Sequence, residues 1–402
     1  MSTISEMKSA FCRSRISDAF RASPWEGMRN DITAVMLAVL GAVTGCSSKG
    51  TGSSDSGSPC GAGLCVPSVL ASGQDRPSSI AVNASNVFWT NEGRTKGTGT
   101  VMKVARSGGT PSVLASGQFT PSSVAANSTS VYWTGFADGT VYSVPIEGGS
   151  PSKIATDQRT PAQLVIDDSS IYWTTYGSEG ACASCNCQCG TTVFQGIIGS
   201  AGCTCFEQCS AATGYIGGSG TCTGGLGVNG TVMQAPLSGG TATTIWSDAY
   251  AAASLAVNST SVYWTLRALG GGTAHGALMK APKKGGPATQ LWTGSSDGAT
   301  LAIDSRNAYW VSIDDFMMIP IDGGNAASLA NLSQLFCIAA DDMGIYGGVW
   351  GANAAIMRFS LSGGGSPSVL ATDGDAPSAI ALDQANIYWT DYDGGTVMQI
   401  PR

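Results

Sequence analysis

An aromatic pair returns at a nearly regular interval through most of this chain, and that interval constrains the fold more than any other feature. "VFWT" ends at Thr90, "VYWT" at Thr134, "IYWT" at Thr174 and "VYWT" at Thr265. "AYWV" follows at Val311, a degenerate "IYGG" at Gly348, and "IYWT" at Thr390. The tryptophan position is held by Trp89, Trp133, Trp173, Trp264, Trp310, Gly347 and Trp389, in steps of 44, 40, 91, 46, 37 and 42 residues. The one double step contains a cysteine-rich stretch, so seven anchors mark seven units.

Each unit reads as four short strands. A small apolar run such as "SSIAV" or "QLVI" is followed by an Asn/Asp/Ser turn and then by the aromatic anchor. After a variable loop comes a third run ("GTVMKV", "GTVMQI"), and a Gly-Gly hairpin leads to a fourth ("SVLAS", "SKIAT"). Period-two alternation between turn residues indicates strands. Four strands per repeat of about 40–45 residues is the signature of a propeller blade. The last unit, ending at Arg402, carries only three runs, whereas "VPSVLAS" (Val66 to Ser72) is a fourth run with no unit before it. Pairing the two would close the ring and leave no open edge. The expectation is an all-β, seven-bladed β-propeller over residues 66–402, its last blade completed by an N-terminal strand. The units resemble YWTD-type and NHL-like propeller repeats, and Tyr388-Trp389-Thr390-Asp391 matches the YWTD name in full.

Composition agrees with strands. Charged residues are 12% of the 402, and there are 55 glycines, a balance that favours turns and sheets over helices. A net charge of -7, with no basic run, argues against a nucleic-acid partner.

Residues 1–45 read as an upstream extension followed by a signal peptide. From Met28 the sequence has one early cation, Arg29, and an apolar core, Ile32 to Val43, shorter than a membrane span. Val43-Thr44-Gly45-Cys46 resembles the lipobox of bacterial lipoproteins, which implies lipidation of Cys46. Ser47 resembles the sorting residue of outer-membrane lipoproteins. Residues 46–65 are Gly/Ser-rich, as a flexible tether is. The expected location is the cell envelope, facing the periplasm or exterior.

Eight cysteines, Cys182, Cys185, Cys187, Cys189, Cys203, Cys205, Cys209 and Cys222, crowd an insertion at about 177–228 in the third blade. In an exported, Gly-rich segment with no core of its own, four disulfides are the default. A zinc or iron–sulfur site using Cys182 and Cys185 is the rival reading. Cys60 and Cys65 would form a further pair, and Cys337 reads as a buried thiol.

The anchor aromatics recur once per blade, so they read as packing. No catalytic constellation is visible: His275 is the only histidine, and neither a cofactor nor a metal is expected. Binding is expected on the face carrying the fourth-to-first and second-to-third loops, which vary most. The candidates there are Gln74, Arg76, Gln118, Gln158, Arg159, Tyr250, His275, Asp297, Trp350, Asp375 and Tyr392. Gln recurs at one loop position, which local hydrogen bonding would also explain. The function expected is a binding or scaffold module for a protein or glycan ligand. The alternative is a metal-dependent enzyme of lactonase or lyase type, with His275 as acid or base and loop carboxylates as ligands, by analogy with other propellers.

Overall fold

The computed structural model describes residues 64–402 except 178–183, 190–191, 197–218, 224–229, 249, 268–275, 295–299, 313–314, 333, 352, 362–364 and 373–375; between 184 and 223 only the backbone course of the strands is described. Within these residues the chain forms seven four-stranded antiparallel sheets and no helix. Blade 1 runs outward through Pro77–Val82, Asn86–Asn91, Gly99–Ala105 and Ser112–Gln118. The innermost strands of the seven blades begin at Pro77, Pro121, Pro161, Ala251, Leu301, Leu335 and Pro377. They neighbour one another in cyclic order, the seventh touching the first. The protein is an all-β, seven-bladed propeller. In blade 7 the outer strand is Ser68–Ala71, which pairs antiparallel with Thr396–Pro401, Ser68 opposite Gln399 and Val69 opposite Met398. A separate three-stranded sheet lies within the insertion, with Ser184–Cys189 between Thr192–Gly196 and Ser219–Thr223. Its register sets Cys185 opposite Cys222.

Prolines open four of the inner strands, where no ladder donor is needed. The third-to-fourth hairpins turn on paired glycines, as at Gly108 (φ 86°) and Gly109 (φ 130°). That backbone region is costly for any residue with a Cβ, and the turn closes with Gly108 N–H donating to Ala105 O at 2.9 Å.

The core is distributed. Seven hydrophobic clusters each lie between two adjacent blades; one, for example, joins Phe88, Val101 and Leu114 of blade 1 to Val124, Val131 and Trp133 of blade 2. Trp89, Trp133, Trp173, Trp264, Trp310 and Trp389 are wholly buried, each contributing about 3 kcal/mol through removal of apolar surface from water. The threonine of the anchor ties its blade to the next: Thr134 Oγ1 donates to Ala162 O at 2.8 Å, and Thr174 Oγ1 to Ala253 O at 3.0 Å. In blade 7 Ser378 relays the link, donating to Pro77 O at 2.8 Å and lying 2.9 Å from Thr390 Oγ1. The tyrosine fixes the opposite end of the strand. Tyr172, Tyr309 and Tyr388 donate to Asp167, Asp304 and Asp383 at 2.7–2.9 Å; the Tyr309 and Tyr388 bonds are both 2.7 Å.

Blade 6 lacks both the tryptophan and the threonine, and neighbouring side chains occupy the space. A Cβ on Gly347 would lie 2.5 Å from Leu335 Cδ1, and one on Gly348 2.6 Å from Cys337 Sγ. The Cys337 thiol donates to Pro377 O of blade 7 at 3.7 Å, taking over the threonine's link. It is buried and unpaired, and burial pushes the thiol up to about 12.

The residue after each third strand packs on the preceding blade. Where it is a cation, the preceding blade offers Asp: Arg106 pairs with Asp383, Lys283 with Asp167 and Arg402 with Asp341. Where it is Ile146, Leu237 or Ile321, that blade has Asn83, Asn127 or Asn258, and the aliphatic side chain joins the inter-blade cluster instead. Leu361 opposite blade 5 departs from the rule, and there Asp304 is satisfied by its own turn and by Tyr309. Burial alone would push the Asp167 carboxyl up, but Lys283, the Ser169 and Ser170 amides and Tyr172 hold it well below the usual range. Tyr172 is correspondingly pushed up to about 12 by burial and by Asp167.

Candidate functional site

Fourth-to-first and second-to-third loops meet at one end of the ring. The bond that joins them is the same in several blades: the second residue after the anchor threonine, or its equivalent, donates its N–H to the loop that enters the same blade. Glu92 N–H donates to Arg76 O (3.0 Å), Phe136 to Thr120 (3.1 Å), Tyr176 to Thr160 (3.2 Å), Trp350 to Gln334 (2.9 Å) and Tyr392 to Ala376 (3.0 Å). To present these carbonyls, Arg76, Thr120 and Thr160 take positive φ of 60°, 54° and 51°. That conformation is strained, above all for β-branched threonine.

Those donors form a collar. Phe136, Tyr176, Trp350 and Tyr392 hold equivalent positions and are all half-buried. Phe136 and Tyr176, from adjacent blades, meet edge to face at 5.9 Å. Tyr392 donates to Glu92 Oε2 of blade 1 at 3.0 Å, and the Arg76 guanidinium lies 5.9 Å from the Tyr392 ring centre. Nearby charges are likewise matched internally: Arg94 pairs with Asp75 at 3.1 Å, and Lys96 lies over Phe119 at 5.4 Å.

A central channel of about 420 Å³ runs between the inner strands. Small residues such as Ser79, Ser123 and Ser254 line part of it. Aliphatic side chains such as Ile80 and Leu164 also line it, together with Gln163 of blade 3 and Phe336 of blade 6, the latter 37% exposed. The Gln163 carboxamide has no hydrogen-bond partner among the described residues.

The three recurrent glutamines have a different role from the ligand contacts expected of them. Gln74, Gln118 and Gln158 accept the indole N–H of Trp89, Trp133 and Trp173 in the next blade at 2.9–3.0 Å; the first two bonds are 2.9 Å. Their amide nitrogens donate to Ser72 O, Ser116 O and Thr156 O. Oxygen and nitrogen are both engaged, so these side chains lock blades together. Blades 4 and 5 use another device: Trp246 and Trp292 of the preceding outer strands lie 5.4 Å from Trp264 and 5.1 Å from Trp310. The Trp264 and Trp310 indole nitrogens are buried with no partner among the described residues.

Of the remaining candidates, Arg76, Trp350 and Tyr392 belong to the collar region, and Arg159 follows Gln158 on the same loop. Tyr250, 38% exposed, precedes the inner strand of blade 4. His275, Asp297 and Asp375 lie outside the described residues. So do Cys46, Cys60, Cys182, Cys203, Cys205 and Cys209, while Cys185, Cys187, Cys189 and Cys222 are described in backbone only. Cys65 is buried, and its N–H donates to Leu370 O of blade 6 at 2.8 Å. Among the described residues, no group of three His, Cys, Asp or Glu is placed to hold a metal. Phe136, Tyr176 and Gln163 were not anticipated from the sequence; the signal for the first two was their fixed distance from the anchor.

No protein-family model and no curated protein matches the chain. Solved structures do match in fold. Virginiamycin B lyase from Staphylococcus aureus superposes with a TM-score of 0.58 at 11% identity, covering 84% of this chain and 98% of that one. A catalytically inactive variant of that lyase with quinupristin gives 0.58 at 12%, over 84% and 98% of the two chains. The WD40 propeller of Doa1 gives 0.54 at 12%, over 84% and 97%. These likenesses establish the propeller and leave function to the site.

Proposed function

We propose that this chain is an exported, lipid-anchored propeller that binds a protein or glycan ligand on its collar face. The observation that carries the reading is the set of four half-buried aromatics on one face, Phe136, Tyr176, Trp350 and Tyr392, in equivalent positions. Large rigid rings beside a few polar groups are what binding sites use. The signal-like segment before Cys46 supports export and lipidation, and the tether after it would give the domain reach. The insertion leaves blade 3 just after Tyr176, at the collar.

A photo-crosslinking amino acid placed at Phe136 and, separately, at the exposed Lys284 tests the reading in intact envelopes. Crosslinks to a ligand are expected from position 136 alone. Equal crosslinking from both positions, or none from 136, would end it. Turnover that needs a divalent metal and is lost in His275→Ala would instead favour the lactonase- or lyase-type enzyme.

A further inference from the structure

We infer that the collar and channel mouth take the end of a neutral oligosaccharide; this rests on the collar being the binding face. Among the described residues, the channel is lined by no charged side chain. Around its mouth, Arg94 pairs with Asp75, Glu92 accepts a hydrogen bond from Tyr392, and Arg76 and Lys96 lie beside aromatic rings. A charged group entering the channel would therefore surrender its hydration without meeting a counter-ion among the described lining residues, and that loss is large in a confined site. The same argument disfavours a peptide terminus, a nucleotide or an acidic glycan.

The groups that remain open suit a sugar. Gln163 offers both an amide donor and a carbonyl acceptor, the pairing that a vicinal diol satisfies from either side. Phe336 projects into the channel from blade 6, about half the ring away from Gln163 in blade 3. Ring faces at Phe336, Trp350 and Tyr176 can stack on the apolar C–H faces of a pyranose while its hydroxyls meet serine and amide. A volume of about 420 Å³ admits a chain end and excludes a folded protein, within the roughly 300–1,000 Å³ range of ligand pockets.

The test uses the full chain in a polyoxyethylene detergent, since an alkyl-glycoside detergent would compete. Maltohexaose, cellohexaose and chitohexaose are the neutral probes, and hexagalacturonate is the anionic control; calorimetry and tryptophan fluorescence are the readouts. At least one neutral probe is expected to bind, and hexagalacturonate is not. Gln163→Ala and Trp350→Ala should each weaken binding about tenfold, equivalent to about 1.4 kcal/mol. Gln163→Leu, which keeps the channel filled, should do the same if Trp350→Ala fails to fold. Absence of binding by every neutral probe, or binding indifferent to position 163, overturns the inference. A protein crosslinked from Phe136 in a chain that binds no saccharide would overturn it while leaving the binding face intact; failure of both experiments removes both.

Discussion

Arg402 grips Asp341 with both ends of its guanidinium: Nη1 donates to Oδ2 and Nη2 to Oδ1, each at 2.6 Å. The arginine belongs to blade 7 and the carboxylate to blade 6, and the same guanidinium lies 4.9 Å from the Tyr346 ring centre. Planar, two-point pairing of this kind is a strong form of ion pair.

Arg402→Ala should therefore cost about 1–2 kcal/mol of unfolding free energy, read by urea titration. The full penalty of breaking a buried pair is about 3–5 kcal/mol, but Asp341 is partly exposed and solvent screens it. The pH dependence follows from sign. Burial would raise the Asp341 carboxyl, yet Arg402 and the Met343 and Gly344 amides outweigh it and hold the folded value low. Its stabilisation is present above the unfolded value of about 3.9 and is lost as pH falls through the lower folded value. Arg402→Ala should flatten this part of the acid limb, and an unchanged acid profile would contradict the pairing.

Gln118→Ala strands the buried Trp133 indole N–H, whose acceptor it removes. The expected loss is about 1–3 kcal/mol, with no change in ligand affinity. A ligand-contacting glutamine would give the reverse, a normal melt with weakened binding.

Deleting residues 66–72 removes the outer strand of blade 7, with the buried Leu70 and Ala71, and bares the edge of Thr396–Pro401. Thermal scans should show a large loss of stability for the whole propeller together with aggregation through the bared edge. Melting identical to that of the intact chain would show that the seam contributes nothing.

Gly348→Ala should destabilise by about 1–3 kcal/mol, because the added Cβ would meet Cys337 Sγ at 2.6 Å and Pro377 Cβ at 2.8 Å. In a Cys337→Ala background the effect should shrink without vanishing, since the proline remains. Additive effects, measured by a double-mutant cycle, would rule out the proposed exchange of thiol for threonine.

These particulars show what a repeat reveals from sequence. The seven blades were legible because packing demands the same residue type at the same step, as at Trp89, Trp133 and Trp173. The collar was hidden because its equivalent positions hold Glu92, Phe136, Tyr176, Arg267, Trp350 and Tyr392, with no shared residue type to betray them. Gln74, Gln118 and Gln158 were visible for the opposite reason. Their regularity matched a loop position, but regularity here served the tryptophan of the following blade, a contact no single unit contains. Gln163 could be recognised only once the inner strands enclosed a channel.

The matched cations and acids carry a further consequence, for how the chain assembles. A repeat protein risks docking a unit beside the wrong neighbour while it folds. Were blade 2 to dock after blade 6, Ile146 would face Asp341 and leave a carboxylate without its cation. Were blade 4 to dock after blade 1, Lys283 would meet Asn83, with no acid to receive it. Seven nearly interchangeable parts are thus given an order, and errors of succession are penalised at the seam between two blades, before the circle is complete.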